Sequence, residues 1–304
     1  MLSVICPIYN EEKYIGQCVE SILAQDYPKD DLEILFVDGM STDDTRCIVV
    51  NYSNEYPFIK LFDNPKRIVP CAMNIGIKAS KGDIIIRLDA HASYPTNYFS
   101  ALIGRIVELD ADNVGVVCKT DVLNKTPKTL AIREVLSNKF GVGNSVFRTG
   151  VDKVMKVDTV PFGCYRRDTF ERFGMYDERL IRNQDFELNY RIRKGSGRIF
   201  IVPDSNCTYY ARESFKKLWI QNYKNGLWGI RTVLFTGNSN SLALRHYIPM
   251  IFVLSLIVPL FASLLWGPFM GIGGLSLLAY LLMIGGVSFC IAIRKHLNIC
   301  LLYT

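Results

Sequence analysis

The sequence predicts an α/β protein with a mostly parallel central sheet, followed by a hairpin of two transmembrane helices. Two observations lead to this fold class. Short apolar runs alternate with helical stretches over roughly residues 1–117, and strands that alternate with helices form parallel sheets covered on both faces. Residues 248–293 then include no charged residue over 46 positions, which is too long for one membrane span and fits two.

The first elements follow from their apolar periodicity. "LSVICPI" is a short apolar strand, and "NEEKYIGQCVESILAQ" after it is an amphipathic helix with Asn10 as its N-cap. "EILFVD" is the second strand, and "STDDTRCIVVNY" begins the next helix with Ser41 as its cap. The apolar face of the first helix consists of Ile15, Cys18, Val19, Ile22 and Leu23.

The alternation of strands and helices continues to about Val117. "IKLFD" is the third strand, a helix runs through residues 72–79, and "DIIIRLD" is the fourth strand. Pro95 precedes the helix "NYFSALIGRIVEL", where proline is tolerated, and "VGVVC" is the fifth strand. "NKFGVGNSVFRTG" indicates a glycine-rich flexible loop, whereas "RNQDFELNYRIRKG" indicates a helix that ends at Gly195.

Composition restricts the class of protein. The 304 residues, 49% of them hydrophobic, suffice for one large domain or two smaller ones. The net charge of +6 is dispersed, and no run of Lys and Arg is interleaved with aromatic residues, which argues against a nucleic-acid partner. Nine cysteines without a CxxC pair indicate reduced, buried thiols in a reducing compartment. No basic region precedes a long apolar core at the start, so we expect no signal peptide.

Polar side chains stand where three of the predicted strands end, namely Tyr9, Asp38 and Asp89. Ligands of parallel sheets bind beyond the carboxyl ends of the strands, so we expect these groups to converge at one edge. A carboxylate there is a good ligand for Mg²⁺ or Mn²⁺, although such an aspartate is often only a turn or cap residue. The motifs GxGxxG, GxxxxGK[ST], HExxH and GxSxG are absent, which argues against the nucleotide-binding and hydrolase classes that use them.

Five segments in order carry a resemblance to a known family. They are "SVICPIYNEEKYIGQCVESILAQDYP", "EILFVDGMSTDDT", "NIGIKASKGDIIIRLDAHA", "RRDTFERFGMYDERL" and "NQDFELNYRIRKGSGRIFIVP". Over roughly residues 1–215, they resemble the inverting family 2 glycosyltransferases with the GT-A (nucleotide-diphospho-sugar transferase) fold. The "LDAHA" form resembles a subgroup of membrane-attached enzymes that build bacterial exopolysaccharides of the succinoglycan type. The resemblance implies that residues 1–212 form a GT-A catalytic domain.

The resemblance also implies which residues bind the nucleotide-sugar donor. Pro7, Tyr9 and Glu11 would line the nucleotide pocket. Asp38 would contact the base, usually uracil, and Arg67 would approach the phosphates. The expected donor is therefore a UDP-sugar.

A metal site is implied in the same way. Asp89 would be the first carboxylate of the family's DxD motif, and His91 stands where that motif ends in a second aspartate. A neutral imidazole is a fair ligand for Mn²⁺ and a poorer one for Mg²⁺, so Asp89 and His91 are expected to bind Mn²⁺ or Mg²⁺. The alternative is a histidine that hydrogen-bonds Asp89 or the following turn.

Asp185 is the candidate catalytic residue. It falls on the aspartate of the family's ED motif and would be the general base that deprotonates the acceptor hydroxyl. The alternative is a helix-capping aspartate stabilised by the helix dipole. In that case Glu187 and Arg191 would form an i,i+4 surface pair, and Glu187 is in any case expected to be structural or acceptor-binding.

Residues 213–246 predict an amphipathic segment at a membrane interface, because Lys and Arg are mixed with Trp219, Tyr223 and Trp228. The QxxRW motif of processive family members is absent, since Gln221 is followed by "NYKNG". That absence argues against a processive polysaccharide synthase.

Residues 247–296 predict the transmembrane hairpin. Basic residues flank both ends, which places both ends in the cytoplasm. The alternative is a buried helical hairpin of a soluble protein. The flanking residues are Arg245, His246, Arg294, Lys295 and His296; the spans are 248–266 and 269–293, and an apolar tail covers 297–304.

Together these expectations describe a glycosyltransferase of the inner (cytoplasmic) membrane with its catalytic domain in the cytoplasm. It would move a sugar from a nucleotide-diphosphate donor to a lipid-linked (polyprenyl) saccharide acceptor in cell-surface polysaccharide synthesis. Two alternatives remain open: transfer to polyprenyl phosphate itself, and a catalytically inactive membrane scaffold that binds sugar nucleotides.

Overall fold

The computed structural model describes residues 1–143, 145–238, 242 and 246–295. Within these residues the centre of the protein is a nine-stranded sheet in the order β3-β2-β1-β4-β8-β6-β9-β5, with β7 paired to β9. Strands β1 to β9 are Leu2–Ile8, Leu32–Asp38, Ile59–Asp63, Ile84–Arg87, Ala92–Ser93, Asn113–Asp121, Met155–Lys156, Cys164–Arg166 and Ile199–Tyr210.

The longer strand pairings in this sheet are parallel. Strand β1 lies between β2 and β4, and β2 pairs with β3, all in parallel register. The pairing of β6 with β9 is also parallel. The antiparallel pairings of β8, β5 and β7 extend over only two or three residues each. The predicted mostly parallel sheet is confirmed.

Nine helices follow the strands of this domain in the described part of the chain and cover both faces of the sheet. Alternate residues of β1 point to opposite faces, so Val4 and Cys6 pack against α1 and α4, whereas Ile5 packs against α3. Helices α1 to α9 are Ile15–Leu23, Thr45–Glu55, Val69–Ala79, Tyr98–Glu108, Pro127–Ser137, Lys139–Val142, Val146–Thr149, Arg167–Phe173 and Gln184–Lys194.

Three local predictions differ from the structure. Helix α1 begins at Ile15 rather than after Asn10, because Asn10 has a φ of 55° and its side chain accepts a hydrogen bond from the Thr42 amide. Helix α2 has Asp44, not Ser41, at its N-cap position. The predicted glycine-rich loop contains the short helices α6 and α7, and the Asn138 side chain caps α6. Helix α9 ends before Gly195, as predicted.

The thiols are mostly buried and unpaired where the structure describes them. Most of the described cysteines lie in the core, while Cys47 and Cys290 are exposed. None of the described cysteines forms a disulfide. The described cysteines are therefore free thiols, as expected, but Cys47 and Cys290 are not buried.

Three helices complete the described chain: α10 (Phe215–Thr236), α11 (Ile248–Ala262) and α12 (Phe269–Lys295). Helices α11 and α12 lie against each other, with the rings of Phe252 and Tyr280 stacked at a centroid distance of 4.1 Å. Both helices are apolar over most of their surface, and many of their large side chains are exposed.

Among the described residues, one helix is long and apolar enough to cross a membrane, over Phe269–Arg294. Only 6% of its most apolar window is buried, which does not fit a hairpin inside a soluble core. The first predicted span is shorter than expected, because α11 ends at Ala262 and has 15 residues. A crossing by both helices stays a prediction, and Arg245, His296 and the tail 297–304 lie outside the described residues.

Candidate active site

A cavity of about 120 Å³ lies at the carboxyl ends of β1 and β4. The register of the parallel strands places Ile8 beside Asp38 and Ile5 beside Arg87, so the loops that follow these strands meet at one edge. The cavity is lined by most of the residues that the sequence singles out: Pro7, Tyr9, Glu11, Arg67, Asp89 and His91.

The loop that carries Tyr9 and Glu11 is held by the loop after β2. The Asn10 amide donates to Ser41 Oγ at 3.0 Å, and the Glu11 amide donates to Thr45 Oγ1 at 2.7 Å. Hydrogen bonds therefore join the loop after β1 to the segment between β2 and the start of α2, at the mouth of the cavity. Tyr9 remains 44% exposed there, so its ring is available to a ligand.

Asp38 lies beside the cavity rather than on its wall. Its buried carboxylate accepts hydrogen bonds from the amide and the hydroxyl of Ser41, the latter at 2.6 Å, and from Arg46 at 3.0 Å. Gly39, the next residue, lines the cavity. The structure thus gives Asp38 protein partners, and its contact with a base stays a prediction.

The turn that carries Asp89 and His91 is held firmly in place. The hydroxyl of buried Tyr94 accepts a hydrogen bond from the Asp89 amide at 2.9 Å and donates one to the Asp89 carbonyl at 3.1 Å. The Tyr210 amide donates to the His91 carbonyl at 3.0 Å. The imidazole of His91 also packs edge-on against Tyr209. This turn presents its two polar side chains to the cavity in a defined orientation.

His91 has a partner that the sequence analysis did not consider. Its Nδ1 lies 3.3 Å from Oε1 of Glu11. Burial lowers the pKa of His91, but the hydrogen bond to Glu11 and the negative charges of Asp89 and Glu11 outweigh it and raise the pKa. Because Glu11 occupies Nδ1, a metal ion would have to bind the other ring nitrogen, Nε2.

The residues around the cavity fit a divalent cation that arrives with a diphosphate. In the described part of the chain, no group of three or more His, Cys, Asp or Glu side chains is arranged to hold a metal ion. Asp89 and His91 do line the same cavity. Mg²⁺ in nucleotide sites is commonly held by one or two protein ligands, with substrate phosphates and water completing its shell. An oxygen and a nitrogen ligand suit Mn²⁺ better.

Arg87 is the site residue that sequence reasoning missed. Its guanidinium is buried at the end of β4 and donates to Asp89 Oδ1 at 3.2 Å and to Asp185 Oδ1. Burial lowers the pKa of Arg87, but the charges of Asp185 and Asp89 raise it well above its usual value. The signal in the sequence is a single cation that ends an otherwise apolar strand, two residues before the aspartate.

Asp185 lies in the first turn of α9 and faces Arg87. The N-cap of this helix is Asn183, with a φ of 62°, so the alternative of a capping aspartate does not describe Asp185. Glu187 and Arg191 do form the expected i,i+4 pair at 2.7 Å. However, Glu187 is buried, and Arg191 also donates to the carbonyls of Phe173 and Met175, so this is not a surface pair.

Helix α10 holds the loop in front of Asp185. Arg182 donates to the Asn225 side chain at 2.8 Å, and Asn183 donates to Thr232 Oγ1 at 3.3 Å. Trp228 is buried on the same helix, while Trp219 is 75% exposed. One side of α10 is therefore packed on the catalytic domain and another is exposed. Contact of the exposed side with a membrane interface stays a prediction.

Residues 3–174 match the profile described as Glycosyl transferase family 2. The chain belongs to this family. It is therefore a glycosyltransferase, and the predicted recognition is confirmed.

Two curated relatives cover most of the chain. The first is dolichyl N-acetyl-alpha-D-glucosaminyl phosphate 3-beta-D-2,3-diacetamido-2,3-dideoxy-beta-D-glucuronosyltransferase of Methanococcus voltae, 31% identical over 230 residues, or 74% of this chain and 71% of that protein. The second is succinoglycan biosynthesis protein ExoA of Rhizobium meliloti (strain 1021), 31% identical over 225 residues, or 73% of this chain and 67% of that protein.

Two solved structures confirm the GT-A-type fold. S. aureus TarS 1–349 in complex with UDP-GlcNAc superposes with a TM-score of 0.55 at 22% identity, over 70% of this chain and 59% of that chain. Mannosyltransferase PcManGT from Pyrobaculum calidifontis, in complex with GDP-Man and Mn²⁺, gives a TM-score of 0.58 at 19% identity, over 91% of this chain and 74% of that chain. At these identities the likeness concerns the fold alone.

Proposed function

We propose that this family 2 enzyme inverts the anomeric centre as it moves a sugar from a UDP-sugar to a lipid-linked saccharide. The reaction would belong to cell-surface polysaccharide synthesis. The observation that carries this proposal is the bridge made by Arg87, which joins Asp89 at the cavity to Asp185 at the start of α9. It brings the residue expected at the leaving group next to the residue expected to take the acceptor proton.

The donor would occupy the cavity at the carboxyl ends of β1 and β4. The exposed ring of Tyr9 can contact the nucleoside, and Glu11 and Arg67 lie on the same wall. Arg67 has a φ of 57° in the segment before α3, a conformation that a non-glycine residue adopts only where its surroundings hold it. Its guanidinium supplies a positive charge for a diphosphate at this wall.

Asp89 and His91 would hold Mn²⁺ or Mg²⁺ together with the diphosphate. When bound, such a cation neutralises the charge that develops on the departing diphosphate. The firmly held turn around Tyr94 supports this role, because ligands must keep their orientation when the leaving group departs.

Asp185 would be the general base. Its carboxylate accepts a hydrogen bond from Arg87 and is 29% exposed, so it is oriented on one side and open to an acceptor on the other. Arg87 is shared between two carboxylates, and the group of three therefore keeps a net negative charge. A hydroxyl placed at the open side of Asp185 could therefore pass its proton to a carboxylate that is already oriented.

The lipid-linked acceptor is supported by the relatives and by α12. The Methanococcus voltae relative is named for a dolichyl-linked substrate. In this chain Ile291 and Ala292 of α12 pack against Ala131 and Val135 of α5, which attaches a helix able to cross a membrane to the catalytic domain. The catalytic domain would then lie in the cytoplasm, at the surface of the cytoplasmic membrane.

Calorimetric titration of UDP, GDP and their sugars tests the proposal, each with Mn²⁺, Mg²⁺ or EDTA. UDP should bind in a metal-dependent manner to the full-length protein. Asp185→Asn should retain this binding and lose transfer by roughly 10²–10⁴-fold. Absence of any nucleotide binding would overturn the proposal. Binding without transfer to any lipid-linked saccharide or polyprenyl phosphate would favour the inactive scaffold.

A further inference from the structure

An apolar cavity of about 330 Å³ lies between the catalytic domain and α12, beside the direct contact of α12 with α5, and shares no lining residue with the nucleotide site. Its walls come from four helices, α5, α6, α10 and α12. The side chains that make it apolar include Ile132 and Val135 on α5, Leu218 and Trp219 on α10, and Met283 and Val287 on α12.

The wall formed by α12 connects this cavity to the bilayer. Helix α12 is the described helix that is long and apolar enough to cross a membrane, and the cavity lies along its second half. A hydrocarbon chain that follows α12 would enter the cavity without passing through water. Such continuity suits the chain of a lipid better than a free small molecule or a peptide.

The other end of the cavity leads along α10 toward the catalytic loop. The residues of α10 that face the cavity follow the spacing of one helical face and end at the polar residue Asn222. One turn further on, Asn225 accepts the hydrogen bond of Arg182 at 2.8 Å. Arg182 is three residues before Asp185, so the polar end of this path lies next to the candidate base.

Positive charge is concentrated at that point. Arg182 is half-buried, and its pKa is lowered by burial and by the like charge of Arg212, which follows β9. The hydrogen-bond partner of its guanidinium is the neutral amide of Asn225 rather than a carboxylate. Arg212 stands two residues after Tyr210, whose amide donates to the His91 carbonyl at 3.0 Å, so its backbone lies near the turn of Asp89 and His91. Two cations held together in this way favour an anionic ligand.

We infer that Arg182 and Arg212 bind the phosphate that links the acceptor saccharide to its isoprenoid chain, while the first part of that chain lies in the cavity between α5, α10 and α12. The phosphate at Arg182 would place the saccharide beside Asp185. This inference rests on the proposed function, whose donor site is separate and can be tested separately.

Binding of farnesyl diphosphate to the full-length protein in detergent micelles tests the inference, with farnesol and inorganic pyrophosphate as partial ligands. Farnesyl diphosphate should bind more tightly than either partial ligand. Arg182→Gln should lower the affinity for farnesyl diphosphate by about tenfold or more, and Arg182→Lys should lower it by less. Val287→Trp should fill the cavity and thereby lower the affinity for farnesyl diphosphate and for farnesol. The affinity for pyrophosphate should not change.

Two control variants match these changes. Arg179→Gln removes an arginine that is exposed and paired with Asp177 on the same loop, and Leu281→Trp adds the same bulk to the exposed side of α12. Both should bind farnesyl diphosphate like the wild type. Metal-dependent UDP binding should persist in every variant, which shows that each is folded.

Three results would overturn the inference. Farnesyl diphosphate could bind equally well to Arg182→Gln, or pyrophosphate could bind as tightly as farnesyl diphosphate. UDP could also displace farnesyl diphosphate, which would assign Arg182 and Arg212 to the donor's diphosphate. In each case UDP binding to the wild type would leave the proposed function intact, whereas its absence would remove the proposed function whatever the farnesyl ligands do.

Discussion

Replacing Arg87 by methionine tests the connection between the two halves of the candidate site. The side chain of Arg87 is 7% exposed and its guanidinium contacts Asp89 and Asp185, whose side chains are 21% and 29% exposed. Removing one partner of a fully buried ion pair costs roughly 3–5 kcal/mol. Water can reach both remaining carboxylates, so we expect a smaller loss of unfolding free energy, about 2–3 kcal/mol.

This loss should lower the midpoint of thermal unfolding by about 5–10 °C in a domain of this size. The kcat of the folded variant should also fall, by about a hundredfold, because Asp185 loses the contact that orients it. Reduced stability alone would not cause this loss. A double-mutant cycle with Asp185→Asn isolates the contact, and the two substitutions should cost less together than the sum of their separate effects.

Arg105→Met is the matched control. Arg105 also bridges two carboxylates, those of Asp204 and Glu108, but at the surface of α4 and far from the cavity. We expect only a small loss of unfolding free energy, because water screens an ion pair at the surface, and an unchanged kcat. If Arg87→Met kept wild-type kcat, or if its effect were fully additive with Asp185→Asn, the coupling between the two carboxylates would be refuted.

Two further changes probe the metal site and the core. His91→Asp should shift the preference of nucleotide binding from Mn²⁺ toward Mg²⁺, measured as the ratio of the UDP affinities with each ion; an unchanged ratio would remove His91 from the metal site. Burial raises the pKa of Glu33, but hydrogen bonds from the Lys81 amide, the Ser3 hydroxyl and Lys60 outweigh it and hold the pKa below its usual value. The stability that Glu33 contributes is therefore complete above its unfolded-state pKa and lost as the pH falls through the folded-state pKa. Glu33→Gln should destabilise the domain at pH 7, and the difference from the wild type should shrink below about pH 4; a difference independent of pH would contradict this account.

The edge of the sheet could be predicted because it depends on local patterns. The strands that end at Asp38 or just before Tyr9 and Asp89 are apolar and short, and parallel strands bring their carboxyl ends together. Arg87 could not be assigned in the same way. Its partner Asp185 is 98 residues away, and no spacing in the sequence shows that α9 begins opposite the end of β4.

The start of α1 shows a second limit of pattern reading. The sequence offers Asn10 as a good helix cap, and local propensity favours that choice. The structure uses the amides of Asn10 and Glu11 to bond Ser41 and Thr45 on another loop. Because of these tertiary contacts, helix α1 begins about one turn later than local propensity predicts.

The attachment of the catalytic loop to α10 has a geometric consequence for an enzyme at a membrane surface. From exposed Trp219 to Thr232, which bonds Asn183, the helix rises about 20 Å. A stiff rod of that length, rather than a flexible tether, would set the height at which the base stands above the lipid headgroups. Hydroxyl groups nearer to or farther from the bilayer would miss the base, so the distance between the lipid anchor and the attacking hydroxyl would limit which acceptors react.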